Sequence, residues 1–194
     1  GNNSQNLRLG RLTQGEYSRF VESADRLSRM PIFFDQTSQL TPNELRVKCR
    51  RLQHEYGLDM VIVDYLQLMS AGGNFQNNRV QEISYISRAL KEMARELNVP
   101  LFSASQLSRA VESRQDKRPQ LSDLRESGSI EQDADVVMFL YRDVVYNKAT
   151  EFPNQADVIV AKHRNGRTDT VSLYFDAGLT KFMDGAVRRV SLSE

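Results

Sequence analysis

The chain has 194 residues, enough for one domain with a sizeable core. Its 26 basic and 25 acidic side chains leave a net charge of +1, so a nucleic-acid partner would need a local basic patch. The single cysteine, Cys49, excludes an internal disulfide and fits a reducing compartment. No apolar stretch reaches the roughly 18 residues of a membrane-spanning helix, so we expect no membrane partner.

Helix starts are marked by two capping boxes, in which a threonine precedes a glutamate by three positions. They predict helices over Gln14 to Ser28 and Pro42 to Tyr56, and Gly57 is a typical residue to follow a helix end. Apolar residues recur at helical spacing from Val80 to Leu97 and predict an amphipathic helix of about five turns. The capping pairs are Thr13 with Glu16 and Thr41 with Glu44.

Short apolar runs between these helices predict buried strands, and the last two form a hairpin. Strands that alternate with helices indicate an α/β fold with a mainly parallel sheet, to which antiparallel strands are added at the end. The predicted strands are Pro31 to Asp35, Leu58 to Leu66, Pro100 to Ala104, Ala134 to Tyr141 and Ala156 to Ala161, followed by the hairpin Thr170 to Phe175 and Leu179 to Met183.

The run VIVDYLQL, Val61 to Leu68, places an aspartate at the carboxyl end of a predicted strand. Ligands of open α/β sheets bind at that end. In P-loop nucleotide hydrolases an aspartate there holds Mg²⁺ beside the phosphates, which makes Asp64 the first candidate for chemistry. The alternative is a core strand that ends in an acidic turn residue.

The predicted strand Pro100 to Ala104 runs into Ser105 and Gln106. If it lies beside the strand of Asp64, both polar side chains reach the same sheet edge. A glutamine there can contact a γ-phosphate or its attacking water. The alternative is the polar start of an ordinary loop.

Charged side chains are dense from Arg109 to Arg125, a segment that is either functional or simply solvated. Just after it, Gly128 permits a close approach of backbone to ligand, and Arg125 with neighbouring amides can hold a phosphodiester. Alternatively, or in addition, Ser129 caps a short helix with Gln132 as its reciprocal partner.

Three cations lie within the six residues KHRNGR, between a predicted strand and the final hairpin. They are Lys162, Arg164 and Arg167, and this composition suits an anion. At the tip of a rigid sheet they can reach a neighbouring subunit's nucleotide, although an exposed basic turn is the simpler explanation. His163 has no metal-binding spacing.

Three ordered blocks together resemble the C-terminal motor domain of the replicative DnaB-type DNA helicases, a hexameric branch of the RecA-like ATPases. The resemblance covers almost the whole chain, and SDLRESGSIEQDAD within the second block is its most specific part. The blocks are VIVDYLQLM (Val61 to Met69), Ser105 to Asp143 and AKHRNGRTDTVSLYF (Ala161 to Phe175).

This resemblance implies a role for seven residues in a protein that uses ATP and Mg²⁺. An aspartate binds the metal, a glutamine senses the phosphate, a loop follows the backbone of single-stranded DNA, and two cations enter the adjacent subunit's ATP site. In that order the residues are Asp64, Gln106, the loop residues Arg125, Glu126 and Gly128, and the pair Lys162 and Arg164.

One departure from the family is large: no Gly-x-x-x-x-Gly-Lys-Ser/Thr phosphate loop occurs in the sequence. The family carries that loop upstream of the segment that matches this chain. We therefore expect residues 1–184 to be the C-terminal part of a motor domain that is incomplete at its N-terminal side, and residues 185–194 to be a flexible tail. We also expect the chain by itself not to hydrolyse ATP.

The resemblance further implies a parent enzyme, an ATP-dependent helicase that unwinds DNA at the replication fork. Its expected partners are single-stranded DNA, five further copies in a homo-hexamer, primase and a helicase loader. The expected location is a bacterial cytoplasm or a plastid stroma. Two alternatives are a non-catalytic DNA- or partner-binding module on the same scaffold, and a related recombination or repair ATPase.

Overall fold

The computed structural model describes residues 4–75, 78–127 and 129–184, with the backbone alone at Ser4, at Asn74 and at 125–127. These residues form two compact units. One comprises 37–139 and 159–169 and contains all of the candidate catalytic residues. The other comprises the residues up to 36, 140–158 and those from 170 onwards. The predicted tail, 185–194, lies outside the described residues.

Both predicted capping boxes are confirmed, as are the helices that they start. Thr13 accepts a hydrogen bond from the Glu16 amide at 3.4 Å, and the Glu16 carboxylate accepts one from the Thr13 amide at 2.9 Å. Thr41 and Glu44 repeat this exchange at 3.3 and 2.9 Å. The helices are α1 Ser4–Arg8, α2 Gln14–Ser28, α3 Pro42–Tyr56, α4 Arg79–Leu97, α5 Ala110–Ser113 and α6 Ile130–Asp133.

The strands agree with the sequence except at two places. Pro31 to Asp35 is not a strand, because no described strand pairs with it to complete a ladder. The strand that precedes Asp64 is shorter than predicted, because a 3₁₀ turn, Leu66–Leu68, follows it. The strands are β1 Val61–Val63, β2 Leu101–Ser103, β3 Val136–Tyr141, β4 Gln155–His163, β5 Asp169–Asp176 and β6 Lys181–Met183.

Two hydrogen-bonded sheets are present in the described residues. β1 and β2 are parallel, with Val61 opposite Leu101 and Val63 opposite Ser103. The second sheet has the order β3-β4-β5-β6, and the predicted C-terminal hairpin is confirmed by the antiparallel pairing of β5 with β6. Parallel strands separated by a long helix, with antiparallel strands at the end, confirm the α/β class.

The core of the larger unit is organised around α4. Ile83, Ile86, Leu90, Met93 and Leu97 line one face of this helix and are buried. They pack in one cluster with apolar side chains from α3, β1 and β3. Each such side chain contributes roughly 1.5–3 kcal/mol on burial, so α4 is the main support for β1 and for the residues that follow it.

The outer face of the β1–β2 pair is left open to solvent. Ile62 and Phe102 lie directly opposite each other and are 68% and 51% exposed. Because side chains alternate along a strand, Val61 points to the other face of the sheet, where it is buried in the core. One face of this strand pair therefore carries the packing energy and the opposite face carries little.

Ile86 and Ile62 offer a matched test of this asymmetry. Ile86→Ala should lower the free energy of unfolding by about 2–5 kcal/mol, because Ile86 is 0% exposed and its removal leaves a cavity. Ile62→Ala should cost less than about 1 kcal/mol. Urea unfolding of the two variants measures the difference, and equal losses would contradict the proposed core.

Candidate functional site

The carboxyl ends of β1 and β2 lie side by side in the parallel pair. Beyond the two strands, the Ala104 amide donates to the Val63 carbonyl at 3.0 Å, and the Leu66 amide donates to the Ala104 carbonyl at 3.0 Å. Asp64 follows β1 directly, its side chain is exposed, and its peptide bond to Tyr65 is cis. The backbone thus places Asp64 beside the segment that leads to Gln106.

Gln67 joins the two segments through its side-chain amide. Its Nε2 donates to the Ser105 hydroxyl at 3.0 Å, and its Oε1 accepts from the Gln106 amide at 3.1 Å. One planar group therefore satisfies polar atoms on consecutive residues of the neighbouring segment. The Gln106 side chain is left exposed at the same edge as Asp64.

A second layer of polar contacts supports Gln67 from α4. Arg79 donates to the Gln67 carbonyl and also to the Glu82 carboxylate, at 2.5 Å for the latter. Glu82 in turn accepts from the Ala71 amide at 3.1 Å. Although burial acts to raise it, the Ala71 amide and the Arg79 guanidinium hold the pKa of Glu82 below its ordinary value of 4.5. The turn after β1 is thus tied to the most deeply packed helix.

Asp64 offers an exposed carboxylate, a hard oxygen ligand, at this edge. No group of three or more His, Cys, Asp or Glu side chains that could hold a metal ion occurs in the described parts of the chain. Mg²⁺ is commonly held by one or two carboxylates together with substrate phosphates and water. Asp64 therefore fits Mg²⁺ that arrives with a nucleotide better than it fits a resident metal.

Lys162 and Arg164 come together at a different place, beside α6. Lys162 is half-buried and donates to the carbonyls of Glu131 and Gln132, the latter at 3.4 Å. The Arg164 amide donates to the Asp135 carbonyl at 2.8 Å, and its guanidinium lies 3.3 Å from the Asp135 carboxylate. Both cations are thus bound within their own chain here, and none of the described contacts joins them to Asp64 or Gln106.

Asp135 is the centre of this basic group. Its carboxylate accepts from Lys91 of α4 on one oxygen and faces Arg164 on the other. The Lys91 ammonium is the main cause that lowers the pKa of Asp135 below its ordinary value of 3.8; burial opposes it, and Arg164 and Lys162 lower it further. The carboxylate is therefore held in its charged form among three cations.

Of the three predicted DNA-contacting residues, the structure describes the backbone of two and does not describe the third. Arg125 and Glu126 belong to a 3₁₀ helix, Leu121–Ser127, and Gly128 lies outside the described residues. The capping box predicted for Ser129 is wrong: its hydroxyl donates to the Asp133 carboxylate at 2.8 Å and makes no cap bond. The backbone of Ser129, at φ −91° and ψ 6°, is not the extended backbone of a capping residue, so its hydroxyl is not oriented to accept from the first-turn amides.

Sequence reasoning missed the residues that position the candidates, chiefly Gln67, Asp135 and Lys91. Gln67 acts on Gln106 across 39 positions, and Lys91 acts on Asp135 across 44. Gln67 had one detectable signal, a polar residue within an otherwise apolar run at a strand end. The other two look like ordinary surface charges in the sequence.

Two solved structures share the fold of this chain. The chain aligns with a structure whose title describes an "ATPase Domain", at a TM-score of 0.89 and 41% identity, covering 95% of this chain and 66% of that one. A second structure is titled "The Structure Of A DnaB-Like Replicative Helicase And Its Interactions With Primase". It aligns at a TM-score of 0.86 and 43% identity, covering 93% of this chain and 45% of that one. The fold is therefore that of RecA-like helicase ATPase domains.

Residues 2–184 match the family described as DnaB-like helicase C terminal domain, and the chain belongs to that family. It is 53% identical over 182 residues to "Replicative DNA helicase DnaC" of Bacillus subtilis, and 52% identical over 182 residues to "Replicative DNA helicase DnaB" of Geobacillus stearothermophilus. Each alignment covers 94% of this chain but 40% of the relative. In the described residues, no helix is long and apolar enough to cross a membrane.

The Asp135 group predicts a pH-dependent contribution to stability. Because the pKa of Asp135 is lowered in the folded chain, the contribution is present above the ordinary carboxyl pKa and is lost as pH falls through the folded value. Asp135→Asn should therefore weaken the loss of unfolding free energy between about pH 6 and about pH 3. Chemical denaturation at a series of pH values measures this slope.

Asp59→Asn is the matched control, because it removes the same charge from an exposed aspartate for which no ion pair is described. This variant should keep the wild-type slope. An Asp135→Asn slope equal to that of the control would show that the three cations do not stabilise the folded chain through Asp135.

Proposed function

We propose that this chain is the C-terminal part of the motor of a replicative DNA helicase. The longer protein, called the intact protein below, would couple ATP hydrolysis to movement along single-stranded DNA and to unwinding at the fork. The observation that carries this proposal is the Gln67 bridge, which brings the ends of β1 and β2 together so that Asp64 and Gln106 share one edge. Family membership supports the same function.

Asp64 and Gln106 have distinct tasks in this proposal. The exposed Asp64 carboxylate is the ligand for Mg²⁺ brought by ATP, and the metal would neutralise charge on the transferred phosphoryl group. Gln106, whose amide is held by Gln67 while its side chain is exposed, would contact the γ-phosphate or the attacking water. Because the backbone is held in place, the position of the side chain would depend on whether the phosphate is present.

Lys162 and Arg164 would act on the nucleotide of an adjacent copy in a homo-hexamer. Arg164 is 54% exposed, and its ion pair with Asp135 is solvated, so exchanging that partner for a phosphate costs little. Lys162 would exchange helix-end carbonyls for phosphate oxygens in the same way. A cation supplied in trans stabilises charge that develops on the transferred group.

Arg125, Glu126 and Gly128 would contact the single-stranded DNA backbone, which needs no base-specific contact. Primase and a helicase loader are the further partners that we propose, together with a bacterial cytoplasm or a plastid stroma as the location. The similar proteins from Bacillus subtilis and Geobacillus stearothermophilus, which are named as replicative DNA helicases, support the function. The solved helicase whose title names primase supports that partner.

Asp64→Asn in the intact protein tests the proposed chemistry. Wild-type protein should hydrolyse ATP in the presence of Mg²⁺, with stimulation by single-stranded DNA, and the variant should lose at least about 100-fold in kcat because Mg²⁺ is no longer held. The 194-residue chain alone should show no turnover. A phosphate-release assay measures all three, and an inactive wild-type protein that binds DNA would favour the non-catalytic module.

Arg164→Ala in the intact protein tests action in trans. Turnover should fall by roughly 10³-fold or more while the KM for ATP changes little, because the lost interaction forms in the transition state. In mixtures with wild-type protein, activity should fall faster than the mutant fraction rises. Arg95→Ala removes an exposed arginine of α4, outside the basic cluster, as the control; a merely proportional loss in the Arg164→Ala mixtures would refute the trans assignment.

A further inference from the structure

One backbone hydrogen bond joins the two ends of the charged segment that lies between Gln106 and Arg125. The Ser108 amide donates to the Asp123 carbonyl at 3.0 Å. Ser108 lies two positions after Gln106, and Asp123 lies two positions before Arg125. This bond is therefore a short physical link between the candidate phosphate sensor and the segment proposed to contact DNA.

Arg114 holds the same link through the Asp123 side chain. Its Nη1 and Nη2 donate to the two carboxylate oxygens at 3.0 and 3.1 Å, a bidentate pairing. Asp123 is 5% exposed, and one of its oxygens also accepts from the Gln120 amide at 2.7 Å. A charge this deeply buried needs its partner, so the pair is a fixed part of the segment.

The remaining contacts of Arg114 fix the tip of the segment. Nε donates to the Asp116 carbonyl at 2.8 Å, and Nη2 donates to the Arg118 carbonyl at 2.6 Å. Four of the five guanidinium N–H groups are thus used within the segment. Arg114 is not available to bind a DNA phosphate unless the pair with Asp123 is broken.

Both ends of the segment are also anchored in the core. Leu107, next to Gln106, is partly buried against the core cluster, and Leu124, next to Arg125, is buried within it. A hydrogen bond joins the two ends of the segment, both ends pack against the core, and Arg114 binds the residues between them. We expect a segment held in this way to move as one unit. We therefore expect a movement at Gln106 to be passed on to Arg125 through these contacts.

We propose that Arg114 and Asp123 are a positioning pair that transmits the nucleotide state of Gln106 to the segment at Arg125. The proposal rests on the function proposed above and adds residues that themselves contact neither ATP nor DNA. It also assigns a role to the charged segment, for which the sequence leaves a functional role and plain solvation as the two alternatives.

The test uses Arg114→Lys and Asp123→Asn in the intact protein. Lysine keeps the charge but cannot hold Asp123 bidentately together with two carbonyls. DNA stimulation of kcat should fall by roughly 2- to 30-fold in both variants, while kcat without DNA and the KM for ATP stay at wild-type values. The double variant should lose no more DNA stimulation than the more strongly affected single variant, because both changes break the same pair.

Hydrogen exchange gives a readout that does not depend on turnover. A non-hydrolysable ATP analogue should change the exchange of amides from Leu121 to Ser127 in the wild type and should fail to do so in Arg114→Lys. Arg109→Lys is the control, because it makes the same substitution in the same segment at an exposed arginine for which no side-chain contact is described.

Each remaining outcome counts against a specific claim. Full DNA stimulation and an unchanged analogue response in Arg114→Lys would overturn the positioning role. An equal fall of kcat with and without DNA would show a merely structural pair and would overturn it as well. A wild-type protein without DNA-stimulated hydrolysis would instead contradict the proposed function, and this is seen before any variant is compared.

Discussion

The parallel pairing of β1 with β2 is the constraint on which the candidate site depends. Asp64 and Gln106 are far apart in sequence, and each follows a three-residue strand that is too short to be stable alone. The pair persists because α4 packs against the inner side of β1 and because the Gln67 side chain bridges the segments beyond the strands. Without that register, the two polar ends would not share an edge.

Charged groups on this scaffold serve mainly to position other groups. Arg79 holds the Gln67 carbonyl, Asp135 gathers three cations, and Arg114 holds Asp123. The exposure of each pair fits its proposed task. Asp123 is buried and therefore suits a permanent link, whereas the Asp135 to Arg164 pair is solvated and suits an arginine that must change partners.

Local sequence signals predicted the fold well where the physics is local. The capping boxes at Thr13 and Thr41 and the helical spacing from Val80 to Leu97 gave the three long helices, since these signals depend on neighbours within one turn. They failed where a distant partner decides the outcome. Pro31 to Asp35 has strand-like composition but no partner strand among the described residues, and Ser129 is hydrogen-bonded to Ser84, 45 positions away, instead of capping its own helix with its hydroxyl.

The sequence by itself determined the α/β class, the DnaB-type resemblance and the choice of Asp64, Gln106, Lys162 and Arg164, because residue type and order carry that information. Only the tertiary structure decided how these candidates are held. The roles of Gln67, Asp135 and Arg114 depend on contacts that span 39, 44 and 9 positions. No local sequence pattern relates the residues of these pairs, because the folded backbone brings them together.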